Sequence, residues 1–389
     1  MKTIASFLLV IVGGIFINGF KNNYSQISNP WHPEVKKLKV RNKPFSVEIA
    51  DLNRDKIKDL VIANVEDSSV TILIGTGKGN FSEAKGSPFT AGYMPNDIAI
   101  ADFNKDGKPD LAFANTDRKY LTILTGDGSG SFTPLKGSPF PVEVKPHTHG
   151  LVAGDFNGDG NIDLVTDSWG NNRLAVLFGN NNHGFNTPVK YLEVGKNPYQ
   201  SIRSADLNKD GNLDLITTNL DGNNTTILLG DGKGNFKEAA GSPFACGDSP
   251  FGVAVGDIDH DGNPDLAIIN SPTITSENKG RDGLTILMGD GTGKFKPMPG
   301  SPFATGESPS RVAMGDLNGD GIKDIAVANY KSNSITVFIM NKHGVAANYT
   351  VKTGTFPDGI AIADLNGDGK GDIVVSNSGE YYINIIFSN

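Results

Sequence analysis

The chain has 389 residues, 38% of them hydrophobic and 20% charged, and a formal net charge of −8. That balance argues against nucleic-acid binding, which calls for a basic face. A single cysteine, Cys246, excludes an intramolecular disulfide framework and a zinc cluster built on thiolates.

The N-terminus comes first. Lys2 precedes a mostly apolar run over residues 4–17. Fourteen residues fit the core of a signal peptide and fall short of the ~20 that span a bilayer. Residues 1–22 therefore read as a signal peptide or a short N-terminal anchor, and 23–33 as a linker. Either reading places the protein outside the cytoplasm: secreted, periplasmic or on the cell surface. No other stretch is apolar enough for a membrane-spanning helix.

From residue 34 onward the chain repeats. A ten-residue motif occurs seven times at intervals of 48–59 residues, as DLNRDKIKDL from Asp51 and DFNGDGNIDL from Asp155. Each copy sits between two short apolar segments. A third follows a polar turn, then a glycine-rich hairpin such as residues 75–81 leads to a fourth, more polar one. Segments this short, rich in β-branched residues and bounded by Gly, Asn and Asp, read as strands. Four strands per unit and seven units predict an all-β, seven-bladed β-propeller with four-stranded antiparallel blades over residues 34–389. Blade seven runs out after three strands. Residues 34–40 resemble 188–194, the fourth strand ahead of blade four. An N-terminal strand is therefore expected to complete blade seven and remove its free edge.

The motif itself has the chemistry of a calcium loop. Positions one, three, five and nine are Asp51, Asn53, Asp55 and Asp59 in the first copy, and Asp102, Asn104, Asp106 and Asp110 in the second. The third and fourth supply Asp155, Asn157, Asp159 and Asp163, then Asp206, Asn208, Asp210 and Asp214. The fifth has Asp257, Asp259, Asp261 and Asp265, and the sixth Asp316, Asn318, Asp320 and Asp324. The seventh has Asp364, Asn366, Asp368 and Asp372. Three Asp per copy, with Asp259, make 22 of the 43 acidic residues. Carboxylates packed this densely repel one another without a cation. Calcium takes 6–8 oxygen ligands and accepts carboxylate, amide and backbone oxygens together. The spacing is not that of an EF-hand, which needs Glu at position twelve and flanking helices. Position twelve is Ile62, Thr166 or Val327 in three of these copies. Five to seven structural Ca2+ ions are expected. Loop one should be the weakest, because Lys56 replaces Gly and Arg54 and Lys58 add positive charge.

The D-x-N-x-D-G-x-x-D loops and the glycine hairpins ending on Phe, such as residues 75–81, resemble those of the FG-GAP, or VCBS-repeat, family of seven-bladed propellers. The chain is similar in this respect to the N-terminal propeller of integrin α-subunits. The resemblance implies that the calcium loops are structural and join strands one and two on one face of the disc. It also implies that recognition uses the opposite face.

That opposite face carries the strand two–three loops and the connections from strand four to the next blade. Near the start of successive first strands stand Asp97, His149, Gln200, Arg311 and Asp358, which the fold would bring together at the axis. Trp169 lies in a two–three loop. These six are the candidate ligand contacts. Most blades also carry an Asn thirteen residues after the first motif Asp, such as Asn115 and Asn329, read as turn caps. No nucleophile elbow, zinc-protease helix or phosphate loop occurs. A monomeric adhesion or recognition module for a glycan or protein ligand is the leading reading. A polysaccharide lyase, with His149 as base, Arg311 on a uronate and Asp97 or Asp358 as acid, is the alternative. A purely structural scaffold is the third.

Overall fold

In the computed structural model, the described residues are 31, 33–40, 43–142, 148–274 and 280–388. Residues 1–22, expected to be a signal peptide or short anchor, and nearly all of the expected linker lie outside them. Among the described residues every element is a strand, and no helix is long and apolar enough to cross a membrane.

The strands form seven blades. Their first strands are Ser46–Ala50, Pro95–Ala101, Leu151–Gly154, Pro198–Ala205, Pro250–Gly256, Pro309–Gly315 and Pro357–Ala363. Each packs against the first strand of the blade before and after it, and the last returns to the first. This closed ring surrounds the axis. The second strands, such as Asp163–Ser168 and Asp324–Asn329, are buried at every position. Neighbouring blades cover both of their faces, which is why these segments are apolar without alternation. Each begins on position nine of the acidic motif, and all but Asp163–Ser168 end on Asn. Seven hydrophobic clusters fill the seven gaps between adjacent blades.

Closure follows the sequence expectation. Glu34–Lys39 pairs antiparallel with Tyr382–Phe387, from Glu34 opposite Phe387 to Lys39 opposite Tyr382. Trp31 extends the latch. Its indole is buried, stands 5.7 Å from the Tyr349 ring, and donates Nε1–H to Ser388 Oγ at 3.3 Å.

One detail of the outer edge goes beyond the sequence reading. In blades one, two and four a second short strand also pairs with strand three: Phe89–Thr90, Phe140–Pro141 and Phe244–Ala245. Each follows a Gly-Ser-Pro-Phe turn. The serine hydroxyls of Ser87, Ser138, Ser242 and Ser301 accept the amides of Ile72, Ile123, Ile227 and Ile286 at 2.9–3.0 Å. The turn thus satisfies a strand-three donor that the short fourth strand does not reach.

Candidate metal loops and recognition face

The seven acidic loops share one hydrogen-bond pattern. The position-six amide donates to the position-one carboxylate at 2.7–2.9 Å in all seven. The position-seven amide donates to the position-five carboxylate at 2.7–3.0 Å, again in all seven. The turn is thereby wrapped around its own acidic side chains.

Position nine has two tasks, and the sequence disclosed one. Its Oδ2 accepts the position-two amide at 2.8–3.0 Å. Its Oδ1 accepts an amide at the far end of strand three, such as Gly179 for Asp163 and Met340 for Asp324. The carboxylate therefore ties strands one, two and three together. This contact also explains the first hairpin glycine. A Cβ at Gly126 would lie 2.3 Å from the Pro109 carbonyl oxygen, so in this blade glycine is what lets strand three so near.

All seven position-nine carboxyls are buried. Burial raises the pKa of Asp163, Asp265 and Asp324 to about 7, with the acidic neighbours of each loop adding to the effect. Asp110, Asp214 and Asp372 are raised to about 6 for the same reasons. Burial thus makes the charged form of these carboxyls costly, and a dication would offset that cost. Loop five has carboxylates close enough together to share one. In loop five, carboxylate oxygens of Asp257, Asp259 and Asp265 lie within 4.8 Å of one another. Oxygens about 2.4 Å from a shared calcium ion lie no farther apart than ~5 Å.

On the opposite face the first strands bring five of the six candidate contacts to the channel mouth, where Asp97, His149, Gln200, Arg311 and Asp358 are all buried. Arg311 crosses the channel. Its guanidinium donates to Gln200 Oε1 on blade four and, at 2.8 Å, to Asn96 Oδ1 on blade two. Burial pushes the Asp358 carboxyl up to about 6, with the nearby Arg311 charge opposing. Asp97 accepts the Leu151 amide at 3.0 Å and lies 3.9 Å from Arg203. The His149 ring packs 4.4 Å from Tyr199. The polar ring therefore ties blades together around the axis. Trp169 is the exception: it is exposed on the rim, 6.1 Å from Tyr199.

This arrangement gives Arg311 a structural task. Arg311→Ala should cost about 2–3 kcal/mol in urea unfolding, the scale of a lost charged hydrogen bond. Its calcium content should be unchanged. Unaltered stability would mean that the crossing contributes nothing.

Three charged groups of the channel were not singled out from the sequence. Glu48 and Arg203 line an axial pocket with Val255, Met314 and Ile362. Burial raises Glu48 to about 7. Asp167 is buried and accepts the His149 and Gly150 amides at 2.7 and 2.9 Å. A signal existed: Asp167-Ser168 stands where the other six blades have an uncharged residue followed by Asn. Those Asn residues are turn caps, as expected. Asn115 donates to the Ala91 carbonyl, and Asn329 accepts the Gly306 amide.

Comparison with known proteins agrees with this architecture. A family model described as FG-GAP-like repeat matches residues 51–113, 102–166, 206–268, 274–327 and 316–375, well over half of the chain. Cartilage acidic protein 1 of Xenopus tropicalis is 25% identical over 205 residues, which cover 48% of this chain and 31% of that protein. The match thus spans about a third of that relative. Among solved structures, BBS1N in complex with ARL6DN is similar, with a TM-score of 0.60 at 14% identity, covering 92% of this chain and 97% of that one. Virginiamycin B lyase from Staphylococcus aureus is similar with a TM-score of 0.57 at 13% identity, covering 92% and 100%. At these identities the two structures speak to the fold alone.

Proposed function

Because the chain belongs to the FG-GAP-like repeat family, we propose that it is a calcium-stabilised, extracytoplasmic binding module. Its ligand, a glycan or a protein, sits on the face opposite the acidic loops. One observation carries this reading. Of five exposed large apolar side chains among the described residues, four are Tyr93, Trp169, Phe356 and Tyr381. All four lie in strand two–three loops or in connections between blades, on that single face. Exposed aromatics gathered on one surface mark interaction sites, because they bury much area with few rotamers to fix. Their neighbours hold some of them in place. Arg118 lies 3.7 Å over the Tyr93 ring, and Tyr330 stacks on Phe356 at 4.7 Å and 14°. Beneath the rim the buried polar ring gives a rigid floor.

The test is a glycan and protein array probed with the protein in calcium, followed by titration of the best ligand. Trp169→Ala combined with Tyr93→Ala should weaken binding about 10- to 100-fold, the usual loss at aromatic hot spots. The melting temperature should hold, since both rings are exposed. A double variant that binds as the parent does would move the site to another surface.

A further inference from the structure

The acidic loops depart furthest from their pattern at the seam where the ring closes. In six copies position six is glycine, with φ between 76° and 86°. In blade one it is Lys56, at φ 69°, a conformation that side chains rarely adopt. The hairpin beside it departs as well. Asp127, Asp231 and Asp290 cap the corresponding hairpins of blades two, four and five by accepting two amides each. Blade one has Thr76 there, followed by Lys78 at φ 54°. The corner has thus lost an acid and a glycine and gathered lysines.

These lysines share a cleft. Lys56, Lys58 and Lys78 line about 330 Å³ of space together with Asp364 and Asn366 of blade seven. In loop two Lys108 lies 3.3 Å from Asp106. No hydrogen bond or ion pair within the described residues engages the Lys56, Lys58 or Lys78 ammonium groups. Three such cations around one cleft are unexpected in a chain of net charge −8.

We propose that this cleft is an anion site that takes one phosphate- or sulfate-type oxyanion, held by Lys56, Lys58 and Lys78. Ammonium groups act as point charges and suit a tetrahedral oxyanion. The flanking acidic loops of blades one and seven repel a longer polyanion. They restrict the occupant to a free ion or a single ester group. The cleft lies on the loop face, so it stands apart from the aromatic surface and from any ligand bound there.

Calorimetric titration at low salt, with calcium present, tests the site. The probes are inorganic sulfate and a sulfated disaccharide. Saturable sulfate binding is expected, weakened up to about five-fold by each of Lys58→Gln and Lys78→Gln, the upper end for exposed charge pairs. Lys105→Gln, on loop two, should change nothing. Tighter binding of the disaccharide would support the site with an ester as its source; equal binding would support it with the free ion. Lys56→Gly separates binding from folding. It should raise the melting temperature, because glycine adopts this backbone without strain, and it should weaken sulfate binding. A parent that shows no saturable binding overturns the proposal. So does a Lys58→Gln/Lys78→Gln variant that retains it in full.

Discussion

Chelation of calcium is expected to lower the melting temperature by about 15–20 degrees, on the following scale. At a hundredfold excess of free ion over the dissociation constant, one occupied loop stabilises the folded state by about 2.7 kcal/mol. Five loops give roughly 13 kcal/mol, comparable to the whole stability of an ordinary domain. An unfolding entropy of about 2.1 cal/mol/K per residue converts that sum into the stated shift. The physical source is visible in the fold. Seven buried carboxyls each share a loop with two or three further acids. A dication would bind such an ordered cage far better than the unfolded chain. Elemental analysis after desalting should find five to seven ions per chain. Loop one, with Lys56 at its turn, should empty first as calcium is titrated away. A melting curve that ignores the chelator, or a count of two ions or fewer, would sink this reading.

The fold was legible because the propeller imposes the same environment seven times. Each second strand is buried on both faces, so its apolar run repeats from Asp59 to Asn377. The latch was legible because the outer strand keeps its own pattern wherever it stands in the chain. The convergence of Asp97, His149, Gln200, Arg311 and Asp358 was legible from their place at or just before the start of a first strand, five or six residues ahead of an acidic motif. What each of them does there was not. Arg311 reaches Gln200 and Asn96, which stand 111 and 215 residues away. No local pattern distinguishes such a contact from a side chain left free for a ligand. Glu48 and Arg203 escaped notice because single charges in a strand carry no spacing signal. The second task of position nine was hidden too. Its partner amide, 16 residues on in Asp163 and Asp324, belongs to a backbone that can be glycine or methionine. The residue type at that point says nothing about the bond.

That second task leads to an effect on stability that needs no ion. Asp324 is fully buried; its Oδ2 accepts the Leu317 amide and its Oδ1 the Met340 amide, each at 2.8 Å. Asp324→Ala leaves both amides buried without an acceptor. Each unsatisfied donor costs about 1–3 kcal/mol, so the variant should lose roughly 4 kcal/mol even in chelator. Asp320, in the same loop, is exposed, and its Oδ1 accepts the Ile322 amide in a turn that water reaches. Asp320→Ala should therefore cost about 1 kcal/mol or less in chelator, because water replaces the lost acceptor. With calcium present it should cost more, since a loop ligand is gone. The pair separates the two roles: Asp324→Ala should cost stability with or without the ion, whereas Asp320→Ala should do so chiefly when calcium is present. Urea unfolding of both variants, with calcium and with chelator, gives the four values required. If Asp324→Ala in chelator unfolds at the same urea concentration as Asp320→Ala, the strand clamp contributes nothing, and position nine serves the metal alone.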